Sequence, residues 1–337
     1  MDPSARRNLG RSKVGLTAIG LGGAPMGNLF RPVAEGDARA TVDAAWSGGL
    51  RYFDTAPLYG HGLGEQRMGA ALRFRPRDDF IVSTKVGRLL VPDAAADGGA
   101  YVQVPPHRPV FDYSRDGTLR SVEASLARLG LDRVDLLLIH DIDAFTHGPD
   151  EQAQRYRDAM TGAYPALDGL RRAGAVGAIG LGVNDWRVCA RAAEDGDFDG
   201  FLVAGRYTLL EQEPLDSFLP LCVRRGIGVI AAGVFNSGIL ATGPIEGAMY
   251  NYRPAPADVR DRASRIERVC RSHGVTLAAA ALRLPSMHPA IASIVLGMRD
   301  ADEVARNLAL ARQSIPDGLW RDLKAEGLLH PTAPTGP

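Results

Sequence analysis

Eight short apolar runs, each followed by a longer stretch of mixed character, recur from one end of the chain to the other. They are AIGLGGA (18–24), YFDTA (52–56), FIVSTKV (80–86), VDLLLIH (134–140), AIGLGV (178–183), GFLVAG (200–205), GVIAAG (228–233) and ASIVLG (292–297). Runs of this length read as strands, and strands that alternate with amphipathic helices make a parallel sheet with helical crossovers. Eight such units close into a (β/α)8 TIM barrel. The competing arrangement, a doubly wound open sheet, usually has fewer strands.

The helical stretches carry their own stop signals. DARATVDAAWSGG (37–49) ends in a glycine pair and TLRSVEASLARLG (118–130) in Gly130, as helix C-termini favour. YPALDGLRRAG (164–174), LDSFLPLCVRRG (215–226), VRDRASRIERVCRSHG (259–274) and ADEVARNLALA (301–311) are further helices by the same pattern. Two insertions, 88–114 after the third strand and 141–161 after the fourth, fall on the C-terminal face of the barrel, so they are expected as long loops walling a substrate pocket. Residues 1–330 read as one barrel domain, and the Pro/Thr/Gly-rich stretch 331–337 as a disordered tail.

A length of 337 residues suits one barrel, since that fold routinely exceeds about 250 residues. Thirty-nine basic and thirty-nine acidic residues cancel, so the charge balance favours a small-molecule partner over nucleic acid or an anionic membrane. Cys189, Cys222 and Cys270 form no CxxC pair, which fits a reducing compartment. The start MDPSARRNLG leads into no apolar segment and no run reaches membrane-spanning length, so a cytoplasmic setting is expected. Oligomeric state leaves no mark on the sequence.

Four polar residues gather at the ends of neighbouring strands. Asp54 closes the second run, Tyr59 follows in its loop, Lys85 lies near the end of the third run and His140 closes the fourth. Catalytic side chains of barrels sit at C-terminal strand ends, and buried strands seldom hold a lysine or aspartate without a partner. Reducing a carbonyl needs a proton donor at its oxygen while hydride arrives at carbon, and the reverse oxidation needs a base there. Tyrosine serves both if its ordinary pKa of about 10 is lowered. Lys85 is expected to lower it, Asp54 to hold Lys85 charged, and His140 to orient the substrate oxygen.

FDTAPLYGHGLGEQRMGAAL (53–72), STKVG (83–87) and LLLIHD (136–141) resemble the signatures of the aldo-keto reductase family, in order and spacing. The resemblance implies that Tyr59 is the general acid/base, Lys85 its modulator, Asp54 the lysine partner and His140 the orienting group. It also implies NAD or NADP as cofactor. Asn184 in IGLGVNDW (179–186) matches the residue holding the nicotinamide carboxamide, and Gly23 and Gly297 match glycines of the cofactor cleft. Within GVIAAGVFNSGIL (228–240) the backbone amides of Phe235, Asn236, Ser237 and Gly238 are expected at the pyrophosphate. In LGMRDADEVARNL (296–308), Arg299, Asp300, Glu303 and Asn307 are expected at the adenosine.

Ala204 and Ala232 depart from the family pattern, standing where many members have a glutamine and a stacking tyrosine. Glu303 replaces a frequent glutamine, and Asp300 tips the expectation toward NAD by repelling a 2′-phosphate, against the pull of Arg299. AGRYTLLEQ (204–212) with FNSGIL (235–240) resembles the branch of aldose 1-dehydrogenases, L-fucose and D-threo-aldose dehydrogenases among them, and their pyridoxal 4-dehydrogenase relatives. This implies oxidation of a sugar hemiacetal to a lactone, with pyridoxal 4-dehydrogenase activity, general aldehyde or ketone reduction, or a nicotinamide-sensing regulatory subunit as alternatives.

Three other signals carry less. GLGGAPMG (20–27) lacks the third glycine of a dinucleotide fingerprint because Pro25 takes its place. His140 and His147 with Asp141 and Asp143 resemble a metal set, but the Tyr59–Lys85 pairing accounts for His140, and no metal is expected. The near-repeat of AIGLGG (18–23) and AIGLGV (178–183) reads either as an echo of two half-barrels or as small residues recurring where backbones crowd.

Overall fold

Each of the eight apolar runs contains a strand of a closed parallel barrel, in a computed structural model that describes residues 1–336. The strands are β1 Ile19–Gly22, β2 Tyr52–Asp54, β3 Ile81–Val86, β4 Leu136–His140, β5 Ala178–Val183, β6 Gly200–Ala204, β7 Gly228–Ala232 and β8 Ile291–Gly297. Each pairs with its neighbour in sequence. β8 closes the ring on β1, with Ile294 opposite Ile19 and Gly297 opposite Gly22.

Twelve helices surround the strands: α1 Glu35–Ser47, α2 Leu63–Leu72, α3 Arg115–Leu129, α4 Ala144–Asp158, α5 Tyr164–Arg172, α6 Trp186–Asp195, α7 Phe218–Arg225, α8 Ile239–Thr242, α9 Ala257–Ser272, α10 Leu277–Ser286, α11 Ala301–Arg312 and α12 Asp317–Ala325. Residues 141–161, expected as a loop, are mostly α4, interrupted where Gly148 turns out of helical geometry ahead of Pro149 and joined to α5 by a π-turn. The glycines of α2 hide its helical pattern, yet Gly69 is required. A Cβ there would lie 1.9 Å from the Leu129 carbonyl oxygen at the end of α3. Residues 88–114 hold a two-stranded hairpin, Arg88–Pro92 against His107–Phe111.

Two apolar cores result. The larger fills the space between strands and helices. The smaller fills the lumen, where Tyr52, Leu136, Leu138, Leu202 and Ile230 meet Leu9, Val14 and Leu16 of an N-terminal hairpin that covers the bottom of the barrel. Bulky lumen residues set the glycines of the near-repeat. A Cβ on Gly20 would sit 2.5 Å from the Tyr52 ring, and one on Gly182 would sit 3.2 Å from Lys85 Cε. Crowding is enough to account for those glycines.

The tail differs from expectation. Ala333 is buried in the larger core and Lys324 Nζ donates to its carbonyl at 2.8 Å, so this part of 331–337 is held to the body; Pro337 lies outside the described residues. Trp320 is buried, and Trp186 packs on Phe218 with ring centroids 6.0 Å apart. The three cysteines are free and buried. Among the described residues no helix is long and apolar enough to cross a membrane.

Gly180→Ala tests the packing of the ring, because its Cβ would lie 2.0 Å from the Gly200 carbonyl oxygen on β6. The backbone cannot rotate away as a side chain would, so the expected loss is about 2–3 kcal/mol or more in urea unfolding. An unchanged midpoint would contradict the strand spacing.

Candidate active site

Burying a lysine in an apolar barrel demands compensation for each of its three donors. Lys85 Nζ lies 2.8 and 3.0 Å from the two carboxylate oxygens of Asp54 and donates to the Thr55 carbonyl at 2.9 Å. Asp54 also accepts from Ser83 Oγ at 2.7 Å, and Ser83 shares a 3.0 Å hydrogen bond with the Tyr52 hydroxyl. A chain of polar groups thus runs up the lumen through β2 and β3 to the C-terminal rim.

Tyr59 is wedged in place by glycines. A Cβ on Gly27 would lie 2.5 Å from the Tyr59 carbonyl carbon, and one on Gly60 would lie 2.3 Å from the Gly27 carbonyl oxygen. The GLGGAPMG segment therefore serves the approach of the β1 loop to the tyrosine. The Tyr59 ring centroid stands 4.6 Å from Lys85 Nζ and 6.0 Å from the His140 ring, which meets it edge-on. All four groups expected from the sequence therefore converge.

Their electrostatics differ from expectation in one respect. Burial, reinforced by the Asp54 and Asp141 carboxylates, pushes the Tyr59 phenol above its ordinary value, with Arg88 opposing the rise. Lys85 does not bring the phenol below its ordinary value; its three donors go to Asp54 and Thr55. His140 is held well below the ordinary histidine value by burial and by the Lys85 and Arg88 cations, so it is a neutral imidazole at physiological pH.

Beside the tetrad, Arg88 and its pairing with Asp141 are not singled out by the sequence pattern. Arg88, one residue past STKVG, pairs with Asp141 at 2.5 Å, and both side chains are nearly buried. A signal exists for them: opposite charges directly beyond two adjacent strand ends. His147 and Asp143, resembling metal ligands in sequence, have other partners here. The His147 ring nitrogen Nε2 lies 2.8 Å from the Asp141 carbonyl oxygen, and Asp143 caps α4.

On the same rim, beyond β4 and β5, Asp143 Oδ2 accepts from the amides of Asn184 and Asp185 at 2.5 and 3.1 Å, and the Asn184 carbonyl accepts from Arg206 Nε at 2.7 Å. The asparagine backbone is thereby fixed at both ends. Left-handed Asn236 and Ser237 follow Phe235 and form the kind of backbone concavity that binds anions. Two of the four expected pyrophosphate donors are spent locally, Asn236 on Gly233 and Gly238 on Phe235, which leaves Phe235 and Ser237 as the candidates. Asn236 Oδ1 is buried without a partner among the described residues. Gly205 and Gly233 close the groove floor in left-handed geometry beside Ala204 and Ala232. Gly23 is buried and donates to the Asp54 carbonyl at 2.7 Å, whereas Gly297 lies exposed on the rim.

At the adenosine end Asp300 has another task. Its Oδ1 accepts from the Glu303 amide at 2.7 Å and caps α11. Glu303 is the carboxylate facing the local cations: its Oε2 accepts from the Arg299 amide, and its Oε1 lies 3.8 Å from Arg299 Nε and 3.9 Å from Arg31 Nη2. Asn307 follows one turn later, half-buried. The backbone concavity, the orphaned Asn236 oxygen and this mixed-charge end fit a dinucleotide lying along the rim.

The chain matches the aldo/keto reductase family over residues 18–325. It is 42% identical to the pyridoxal 4-dehydrogenase of Microbacterium luteolum, with 97% of this chain and 98% of that protein covered. It is also 42% identical to the D-threo-aldose 1-dehydrogenase of a Pseudomonas species (94% and 95% covered) and 30% identical to the L-galactose dehydrogenase of Arabidopsis thaliana (96% and 94%). The holo form of an aldo-keto reductase from Bacillus halodurans has the same fold, with a TM-score of 0.74 at 24% identity over 97% of each chain.

Lys85→Met is expected to cost about 3–5 kcal/mol in denaturant unfolding, because it strands a buried carboxylate. Adding Asp54→Asn should restore part of that loss. A double-variant loss equal to the sum of the losses in Lys85→Met and Asp54→Asn alone would mean that the two groups do not depend on each other.

Proposed function

The chain belongs to the aldo/keto reductase family and is an oxidoreductase, and we propose that it oxidises the hydroxyl of a cyclic hemiacetal to a lactone with a nicotinamide cofactor. One observation carries the proposal: the Tyr59 phenol lies at the rim between the Lys85 ammonium and a neutral His140. Names borne by the relatives favour this substrate class. An aldose reacts at C1 as a ring hemiacetal, and pyridoxal closes its aldehyde onto the adjacent hydroxymethyl group to give the same functional group.

When bound, the nicotinamide would supply the acceptor for the hydride of the hemiacetal carbon. The other changes fall to this chain. Tyr59, as phenolate, takes the hydroxyl proton as the C–O bond becomes C=O, and His140 hydrogen-bonds that oxygen to fix its direction. Asp54 holds the Lys85 amine beside the Tyr59 ring, and Asn184 would hold the carboxamide. In the reverse direction Tyr59 returns the proton.

The mouth suits a ring. Tyr101 stands 6.3 Å from Tyr59, and Phe30 meets Tyr252 of the β7 loop at 6.5 Å. Sugars and pyridines both lie well on aromatic faces, and the planar pyridoxal ring is a second substrate that these side chains favour. We assign NAD as the preferred form, on Glu303 rather than Asp300, since Glu303 engages both Arg31 and Arg299 and sets its charge against a 2′-phosphate. Free, buried cysteines fit a cytoplasmic setting.

A panel of aldoses and pyridoxal with NAD and NADP, followed by absorbance of the reduced nicotinamide and lactone analysis, tests the proposal. Lactone should form in step with reduced cofactor, and Glu303→Gln should raise the NADP to NAD ratio of kcat/KM. Oxidation of simple alcohols alone would overturn the hemiacetal reading. Because the phenol is held high and the oxidation needs phenolate, kcat/KM for oxidation should climb up to roughly tenfold per pH unit between about pH 6 and 9. A flat or falling profile would contradict the role of Tyr59.

A further inference from the structure

The two insertions meet behind His140 and build a polar cluster there. From the first come Arg88, with Phe111 stacked 4.3 Å from its guanidinium, and just beyond the hairpin Tyr113. The second supplies Asp141 and His147, and Phe111 also packs on the His147 ring at 4.4 Å. Asp141 is left-handed, with φ of 50°, a conformation that aspartate tolerates better than most residues. Bonds on both sides hold the turn. Its amide donates to the Gly182 carbonyl at 2.9 Å, and its own carbonyl lies 2.9 Å from the Tyr113 hydroxyl and 2.8 Å from His147 Nε2. The Tyr113 hydroxyl reaches the His140 carbonyl as well, at 2.8 Å.

The consequence of that turn is where the carboxylate points. Asp141 Oδ2 comes back to 3.4 Å from His140 Nε2 while also holding Arg88 Nη2 at 2.5 Å. His140 Nδ1 is buried with no partner among the described residues. A neutral imidazole carries one hydrogen, on one nitrogen or the other. With hydrogen on Nδ1, a buried donor would be left unpaired and the Nε2 lone pair would face a carboxylate. With hydrogen on Nε2, the N–H lies near negative charge without being hydrogen-bonded to it, which leaves it free for the substrate oxygen, and only a lone pair, on Nδ1, is left without a partner.

We propose that the Arg88–Asp141 pair is a positioning device that fixes His140 in the tautomer with hydrogen on Nε2, so that the imidazole presents a donor to the substrate oxygen. This deepens the reading of His140 given above and rests on it. Arg88 anchors the carboxylate from the hairpin side and offsets its charge, which keeps Asp141 from drawing a second proton onto the ring.

The test is the long-range proton–nitrogen NMR spectrum of 15N-histidine-labelled protein, with the His140 pair identified among seven histidines as the one lost in His140→Gln. Wild type should show a pyrrole-type Nε2 and a pyridine-type Nδ1. Asp141→Leu should move the ring toward the other tautomer or a mixture and lower kcat by about tenfold or more, leaving the KM for cofactor within about twofold. Asp141→Asn, which keeps an acceptor at the same reach, should retain the tautomer and most of the activity. Should the leucine variant not fold, Asp141→Gly, which suits the left-handed turn and also removes the carboxylate, is read in its place. A wild-type Nδ1–H tautomer, or an Nε2–H tautomer undisturbed in the apolar variant, overturns the proposal. The spectrum needs no substrate, so its outcome is independent of whether a hemiacetal is the compound oxidised.

Discussion

The Asp54–Lys85 ion pair stands in the barrel lumen with neither side chain more than 3% exposed, and much of the surrounding architecture exists to make that tolerable. Two charges removed from water cost several kcal/mol each, which their mutual attraction recovers only if every remaining donor and acceptor is satisfied. Thr55 takes the third lysine donor, and Ser83 supplies the carboxylate with another partner. Gly182 leaves space for the lysine stem, and Tyr52 carries the hydrogen-bond chain downward to an otherwise apolar plug. The lumen is thus a packed support for one charge pair at its upper end.

This support changes how the tetrad works. A lysine free to point at Tyr59 would stabilise the phenolate directly. Here its donors are taken, and the phenol stays high and protonated, ready as an acid but dependent on pH as a base. The neutral His140 fits both directions, because an uncharged imidazole can hold an alcohol or a carbonyl oxygen without competing for the proton that Tyr59 transfers. The glycines at 27 and 60 then do for Tyr59 what Ser83 and Thr55 do for Lys85: they set its position by the nearness of backbone that no side chain could replace.

The strand pattern is legible in the sequence because a parallel barrel writes each strand as a compact apolar run, and the tetrad because polar residues at such strand ends are conspicuous. Elements without a periodic face are not legible. α10, LAAAALRLPS, is buried almost throughout, so no polar stripe marks it as a helix, and α2 is masked by glycines that serve helix contact. At Asp300 type and place suit ribose recognition as well as helix capping, and spacing alone does not reveal the cap that the geometry shows. Arg88 and Asp141 lie in view but belong to different insertions, and their pairing is a property of the closed barrel rather than of either segment.

Everything proposed for the chemistry depends on Tyr59 as the proton-transferring group, and single-turnover hydride transfer in Tyr59→Phe measures that most directly. Enzyme is mixed with saturating NAD and an oxidisable hemiacetal, and formation of reduced nicotinamide is followed at pH 8 alongside the Kd for cofactor. The expected transfer rate is lower by about 10²-fold or more with the Kd for NAD within about twofold of wild type, since one hydroxyl is removed from the chemical step alone. A transfer rate within a few-fold of wild type would contradict that role and move the proton to another group.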